Sequence, residues 1–281
     1  MMMLPKRAVL AYDFSKSMEK LLKRLPGLKR MGIDKISLLH VSDITRSGGH
    51  GQISKDKRSE RLDSVRKKIE KMDFDDVEKD VFLGFPAEEI TTYARKKDAM
   101  ILSGSHGRGV IKNVFLGGTA YAIIRKAKTP VLVEKVQSES TPENICRKVL
   151  LPTDFSKDSR KMLNLLGGSK MPIEEILLLS VIEESESRKE LKEKKSDLES
   201  KLKKLTERLK ERSLSDKIEY KIEKGTASRV ISKTAESEDM SLICMPNRGQ
   251  GGLKEIIIGT TAKEVTRLSP APVLLFPREF L

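Results

Sequence analysis

The chain has 281 residues and a formal charge of +14, from 55 basic and 41 acidic side chains. Apolar residues make up 38% and charged residues 34%, a composition that supports a buried core and excludes a disordered chain. No apolar run approaches the roughly 18–20 residues of a membrane span, and Met1 to Leu10 lacks the long apolar core and cleavage site of a signal peptide.

In chain order, short apolar runs predict strands near 7–12, 35–41, 77–82, 99–104 and 130–135. Helical patterns fall near 15–31, 54–72, 86–96 and 117–127. Leu62, Val65, Ile69 and Met72 form one apolar stripe on the second of these. The polar stretch Gln137-Ser-Glu-Ser-Thr-Pro-Glu-Asn144 then reads as a joint. Strands resume near 147–153, 174–181, 217–223, 240–245 and 272–276. Between the second and third of these, segment 183–212 is highly charged. It carries one leucine seam: Leu191, Leu198, Leu202, Leu205 and Leu209. That seam predicts either a helix packed on its own domain or a partner-binding helix.

The second series repeats the first. Asp13-Phe-Ser15 recurs as Asp154-Phe-Ser156, and Lys35 to Val41 as Glu175 to Val181. Gly84-Phe-Pro-Ala recurs as Gly225-Thr-Ala-Ser, and Thr129-Pro-Val-Leu-Val133 as Ala271-Pro-Val-Leu-Leu275. The offset stays between 140 and 142, so the chain is a duplicated domain: 1–137, a linker at 138–144, and 145–281. Strand–helix alternation with continuously apolar strands predicts an α/β fold, a parallel sheet covered by helices on both faces.

Two cysteines, Cys146 and Cys244, and three scattered histidines, His40, His50 and His106, give no metal-ligand spacing. In a chain without a signal peptide the thiols are expected to be reduced, and the protein cytoplasmic. After the fourth strand comes Gly104-Ser-His106-Gly107, then nine residues, then Gly117-Gly118-Thr119. A glycine turn after a strand and a helix N-terminus can both present N–H groups to a phosphate. The same glycines can equally serve turn geometry alone, and His106 can be a plain exposed loop residue. Neither a P-loop nor a complete dinucleotide fingerprint is present.

At these residues the chain resembles a tandem universal stress protein. The resemblance rests on Pro152-Thr-Asp154-Phe-Ser156, His40-Val41, the G-x-x-G then G-[ST] signature, and the Pro-Val-Leu-Val fifth strand. It implies five parallel strands per domain in the order 3-2-1-4-5, and ATP, with or without magnesium, at the reversal of strand order. It implies that Asp13 and Val41, or Asp154 and Val181, lie near adenine and ribose. Gly104, His106, Gly107, Gly117, Gly118 and Thr119, or Gly249, Gly259 and Thr260, would then serve ribose and phosphates. The family pairs domains through the fifth strand, and here the two halves would pair with each other.

Both signatures depart from the family pattern. Gly118 stands in the first copy where the family has Ser or Thr. Pro246 replaces the first glycine of the second copy, which removes an N–H. The first copy is also the more basic, with 28 basic and 18 acidic residues in 1–140 against 27 and 23 in 141–281. Nucleotide binding is therefore expected more in the first copy than in the second, with occupation of both left open. An Asp-x-Ser after a strand also suits a helix N-cap. No nucleophile–base pair is visible, so a regulatory binding protein is expected rather than an enzyme. A nucleotide-free scaffold contacting partners through 184–212 is the alternative. The +14 charge alone makes nucleic acid a weaker candidate, since no stacking aromatics or nucleic-acid motif accompany it.

Overall fold

The computed structural model describes residues 4–45, 51–105, 116–135, 144–169, 171–182, 187–249 and 258–281. Five strands of the first half are β1 (Arg7–Ala11), β2 (Lys35–Asp43), β3 (Asp76–Gly84), β4 (Ala99–Gly104) and β5 (Val131–Glu134). The second half repeats them as β6 (Lys148–Pro152), β7 (Glu175–Ile182), β8 (Lys217–Lys224), β9 (Leu242–Pro246) and β10 (Val273–Phe276). All ten form one sheet in the order β3-β2-β1-β4-β5-β10-β9-β6-β7-β8. The order 3-2-1-4-5 is thus present in each half, as expected.

The halves join where β5 and β10 run antiparallel, with Leu132 opposite Leu274 between a Val133–Val273 pair and a Val131–Leu275 pair. Each fifth strand has a neighbour on only one side within its own half, β4 for β5 and β9 for β10, so pairing the two removes two sheet edges at once. The adjoining residues tighten the joint. Arg24 and Glu134 form an ion pair that is 2% and 0% exposed. Lys135 is buried and reaches across to donate to the Thr266 carbonyl near the end of a second-half helix.

The helices are α1 (Lys16–Arg30), α2 (Gly51–Glu70), α3 (Pro86–Lys96), α4 (Gly118–Lys126), α5 (Lys157–Gly167), α6 (Arg188–Glu211), α7 (Ala227–Ser237) and α8 (Thr260–Leu268). Alternate strand residues feed two apolar layers. Ala8 and Leu10 pack with α1, α2, α5 and α6 residues on one face. Val9 packs with α3, α4, α7 and α8 residues on the other. Each layer contains residues of both halves, so the core is continuous across the joint.

The stripe expected near 54–72 is present: Leu62 and Ile69 are fully buried and Val65 nearly so. Met72 lies beyond the end of α2, packed against the same layer. On α6, Leu202, Leu205 and Leu209 are buried, so its leucine seam packs on its own half. Residues 183–186 and all of the expected linker except Asn144 lie outside the described residues.

Candidate functional site

The strand order reverses between β1 and β4, and again between β6 and β9. Open α/β sheets bind ligands beyond the carboxyl ends of the strands at such points. The two copies build this place alike. Tyr12 and Thr153 each donate their N–H to the carbonyl at the equivalent point of the second strand, Leu39 and Leu179, at 2.8 Å. The residue after each aspartate is left-handed, with φ 61° at Phe14 and 55° at Phe155. Such a conformation costs a bulky residue about 1–3 kcal/mol.

The aspartates offset part of that strain. Asp13 Oδ1 accepts the Ser15 N–H at 2.9 Å, and Asp154 Oδ1 accepts the Ser156 N–H at 3.0 Å. The helix N-caps are the serines; Ser156 Oγ accepts the Ser159 N–H. Each carboxylate therefore organises the turn before its helix while standing outside it. Asp154 is exposed on this turn. A cation from the next helix covers each ring, Arg61 over Phe14 at 4.1 Å and Lys201 over Phe155 at 6.0 Å.

The glycine positions also correspond. Gly117 donates its N–H to Ser105 O, and Gly259 donates to Asn247 O, both at 2.8 Å. These bonds close the loop between the fourth strand and the following helix. Gly117 and Gly259 are N-caps, and the helical ladder begins with Tyr121 and Lys263 donating to them. The amides of Gly118, Thr119 and Ala120, and of Thr260, Thr261 and Ala262, are the ones left open at a helix start. His106 and Gly107 lie outside the described residues, as does the rest of the loop through 115.

Pro246 proves to be the last residue of β9, aligned with Phe276, and Gly104 is likewise the last residue of β4. The first glycine of the signature therefore belongs to the strand. At Gly104 a Cβ would lie 2.9 Å from Ser17 Cβ and 3.1 Å from Met18 Cε. Close packing of α1 accounts for that glycine in the first half. In the second half a proline fits, and Gly249 is the loop glycine that matters: a Cβ there would lie 3.0 Å from Asp154 Oδ2. Asp154 and Gly249 thus meet across 95 residues of sequence.

A cavity of about 1160 Å³ opens at this place in the second half. It is somewhat larger than the roughly 300–1,000 Å³ of small-molecule sites. Asp154, Val181, Gly249, Gly259 and Thr260, the five residues expected there from sequence, all line it. Its apolar floor includes Leu179, Ile231 and Met245, and Thr261 adds a second hydroxyl beside Thr260.

In the first half, the equivalents of Thr153 and Ser180 are Tyr12 and His40. Tyr12 is 6% exposed and stacks edge-on against Phe14 at 5.1 Å. Burial pushes its hydroxyl above the usual tyrosine range. His40 Nδ1 lies 2.7 Å from Tyr12 O, and its ring is 5.2 Å from Phe14. Asp13, Val41, Gly104, Gly117, Gly118 and Thr119 stand at the corresponding strand ends and helix start. A Cβ on Gly118 would meet open space, so the missing hydroxyl reflects no steric demand.

The wall contributed by α6 was not anticipated from sequence. Lys194, Lys201, Lys204 and Arg208 line the cavity beside Leu198 and Leu205. Lys194, Lys201 and Arg208 recur every seven residues, a signal that the leucine seam overshadowed. Among the described residues no group of three or more metal-ligating side chains exists, and no helix is long and apolar enough to cross a membrane.

Comparison with known proteins agrees with this architecture. The model of the universal stress protein family matches residues 5–135 and again 146–277. A universal stress protein of Methanocaldococcus jannaschii is 33% identical over 158 residues, 47% of this chain and 96% of the relative. A universal stress protein structure from Archaeoglobus fulgidus superposes with a TM-score of 0.72 at 24% identity, covering 98% of this chain and 99% of that one. A functionally unknown Pseudomonas aeruginosa protein gives 0.67 at 15% identity, over 98% and 93%. These two structures establish that the complete two-half fold recurs.

Proposed function

The chain belongs to the universal stress protein family through both of its halves, and from that premise we propose that it is an adenine-nucleotide-binding regulatory protein whose second half holds ATP. One observation carries the reading. Five site residues spread from Asp154 to Thr260 line a single cavity beyond the carboxyl ends of β6 and β9.

The cavity supplies what a nucleotide requires. Leu179, Ile231 and Met245 offer apolar surface for a base. Asp154 Oδ2 faces the loop and is an acceptor for ribose hydroxyls. The open amides at the start of α8, with the Thr260 and Thr261 hydroxyls, suit an anion. The expectation that the first half is the better site rested on its glycine pair. Pro246 weakens the second signature less than its sequence suggests, because that position lies in a strand. In the first half, Tyr12 and His40 occupy places where the second half has Thr153 and Ser180. The function is binding, with ATP occupancy read out through conformation.

Small molecules released from freshly purified protein, identified by mass spectrometry, test this reading. Adenine nucleotide near one equivalent per chain supports it. Neither copurified nucleotide nor a thermal shift at millimolar ATP contradicts it.

A further inference from the structure

The second-half cavity has a basic wall that the glycine signature does not explain. Six basic side chains line it (Arg160, Lys194, Lys201, Lys204, Arg208 and Arg248) against two acidic ones, Asp154 and Asp197. Four of the six stand on α6. From Lys194 to Arg208 the stripe runs about 21 Å at 1.5 Å per residue. That exceeds the span of a triphosphate.

The wall is held in place. The buried leucines anchor α6 to the sheet, and a Ser187–Glu190 capping box closes its first turn. Lys201 pairs with Asp197 at 2.6 Å, and Arg208 donates to Asn164. Arg248 stands in the loop after β9, where the first half has His106. Among the described residues its Nε is buried with no hydrogen-bond partner. Its backbone is packed on the α8 N-cap, where a Cβ on Gly259 would lie 3.3 Å from Arg248 Cα. A buried guanidinium nitrogen without an acceptor is costly, and an anionic ligand would supply the acceptor.

The glycine loop itself is poorly suited to phosphate in this half. Asp154 Oδ2 sits against Gly249, which places a negative charge at the loop. Like charges repel, so an anion is disfavoured close to it.

We propose that phosphate recognition in the second half is carried by side chains, Arg248 and the α6 stripe, and that the ligand is a nucleotide with a polyphosphate tail of three phosphates or more. This rests on the reading of the cavity as a nucleotide site. The tail runs from the start of α8 toward α6, and its charge is met by lysine and arginine, so binding does not require a divalent cation.

Calorimetric titration of the full chain in EDTA buffer, with ATP, AMP and inorganic tripolyphosphate, tests this. Lys201→Met/Lys204→Met and, separately, Arg248→Met are compared with Lys192→Met/Lys210→Met, which removes equal charge from α6 outside the cavity lining. ATP affinity should fall about tenfold or more in both site variants, as expected for losing a charged hydrogen bond, while AMP affinity changes less than about twofold. The control pair should leave ATP binding within about twofold, and tripolyphosphate should compete with ATP. Arg248→Lys, which keeps the charge, should retain more affinity than Arg248→Met. ATP binding unchanged in both site variants, or equally weakened in the control, overturns the side-chain proposal and leaves the nucleotide site standing. Failure of every nucleotide to bind the unmodified protein ends both.

Discussion

Replacing Lys135 by methionine should remove a distinct pH dependence from the stability of the joined sheet. Lys135 is 5% exposed and follows β5 directly. Its ammonium donates to the Thr266 and Arg267 carbonyls at the end of α8, with Glu134 beside it and Arg267 as a further cation. Burial is the dominant influence and pulls its pKa from 10.5 down to about 8; Glu134 opposes and Arg267 assists. Between those values the unfolded chain binds more protons than the folded one, so stability rises with pH. The charged lysine penalises the folded state below pH 8, and the penalty is relieved as pH climbs toward 10.5. A shift of this size is worth roughly 3 kcal/mol in full, and roughly 2.5 kcal/mol of it appears between pH 7 and pH 10. Urea unfolding of the unmodified chain and Lys135→Met at pH 7, 8.5 and 10 measures it. The difference in unfolding free energy between the two proteins should move by that amount in favour of the unmodified chain as pH rises. Parallel pH profiles would refute the reasoning, because they would mean that Lys135 is solvated or already neutral in the folded state.

Other outcomes follow from the same packing. Glu134→Leu removes the carboxylate that pairs with buried Arg24 and should destabilise the protein by about 3–5 kcal/mol. Adding Arg24→Met should recover most of that in denaturant unfolding. Leu202→Ala on α6 should cost about 2–5 kcal/mol, because this leucine is fully buried; a loss below about 1 kcal/mol would show that the helix does not pack on the sheet. Burial raises the Cys146 thiol to about 12 and also pushes Cys244 above the usual range. Maleimide labelling of the native protein near pH 7 should therefore be slow and become fast only on unfolding.

The duplicated fold was legible because its motifs recur at a nearly constant offset and because buried strands such as Val149 to Leu151 and Ile176 to Leu179 are continuous apolar runs with a helix between them. The third strand was harder to read. Strand β3, Asp-Val-Glu-Lys-Asp-Val-Phe-Leu-Gly, lies at the outer edge of the sheet, where charged side chains reach solvent and blunt the apolar signal. The pairing of β5 with β10 was inferred only from the family resemblance, since so short a strand carries no mark of its partner, and its antiparallel sense comes from the structure.

The site was legible one half at a time. In the second half Asp154, Val181, Gly249, Gly259 and Thr260, singled out from the sequence, line one cavity. Pro246, read from the sequence as the altered first glycine of the signature, is the last residue of β9. Local spacing does not reveal whether a residue at a strand end faces ligand or neighbouring helix. Nor does it reveal that Tyr12 and His40 pack together at one copy of the site while Thr153 and Ser180 stand at the other. The α6 lysines were visible as charge, but charge on a surface helix is ordinarily solvated, and only the cavity distinguishes these from their neighbours.

The central claim is that the second half is the nucleotide site. Calorimetric titration of ATP into the full chain, alongside Gly249→Val and Gly104→Val, tests it most directly. A valine at position 249 would press on Asp154 Oδ2 and the cavity mouth, whereas one at 104 would press on Ser17 and Met18 in the first half. The account predicts about one ATP per chain, lost in Gly249→Val and retained in Gly104→Val. ATP binding that survives Gly249→Val and disappears with Gly104→Val would contradict it.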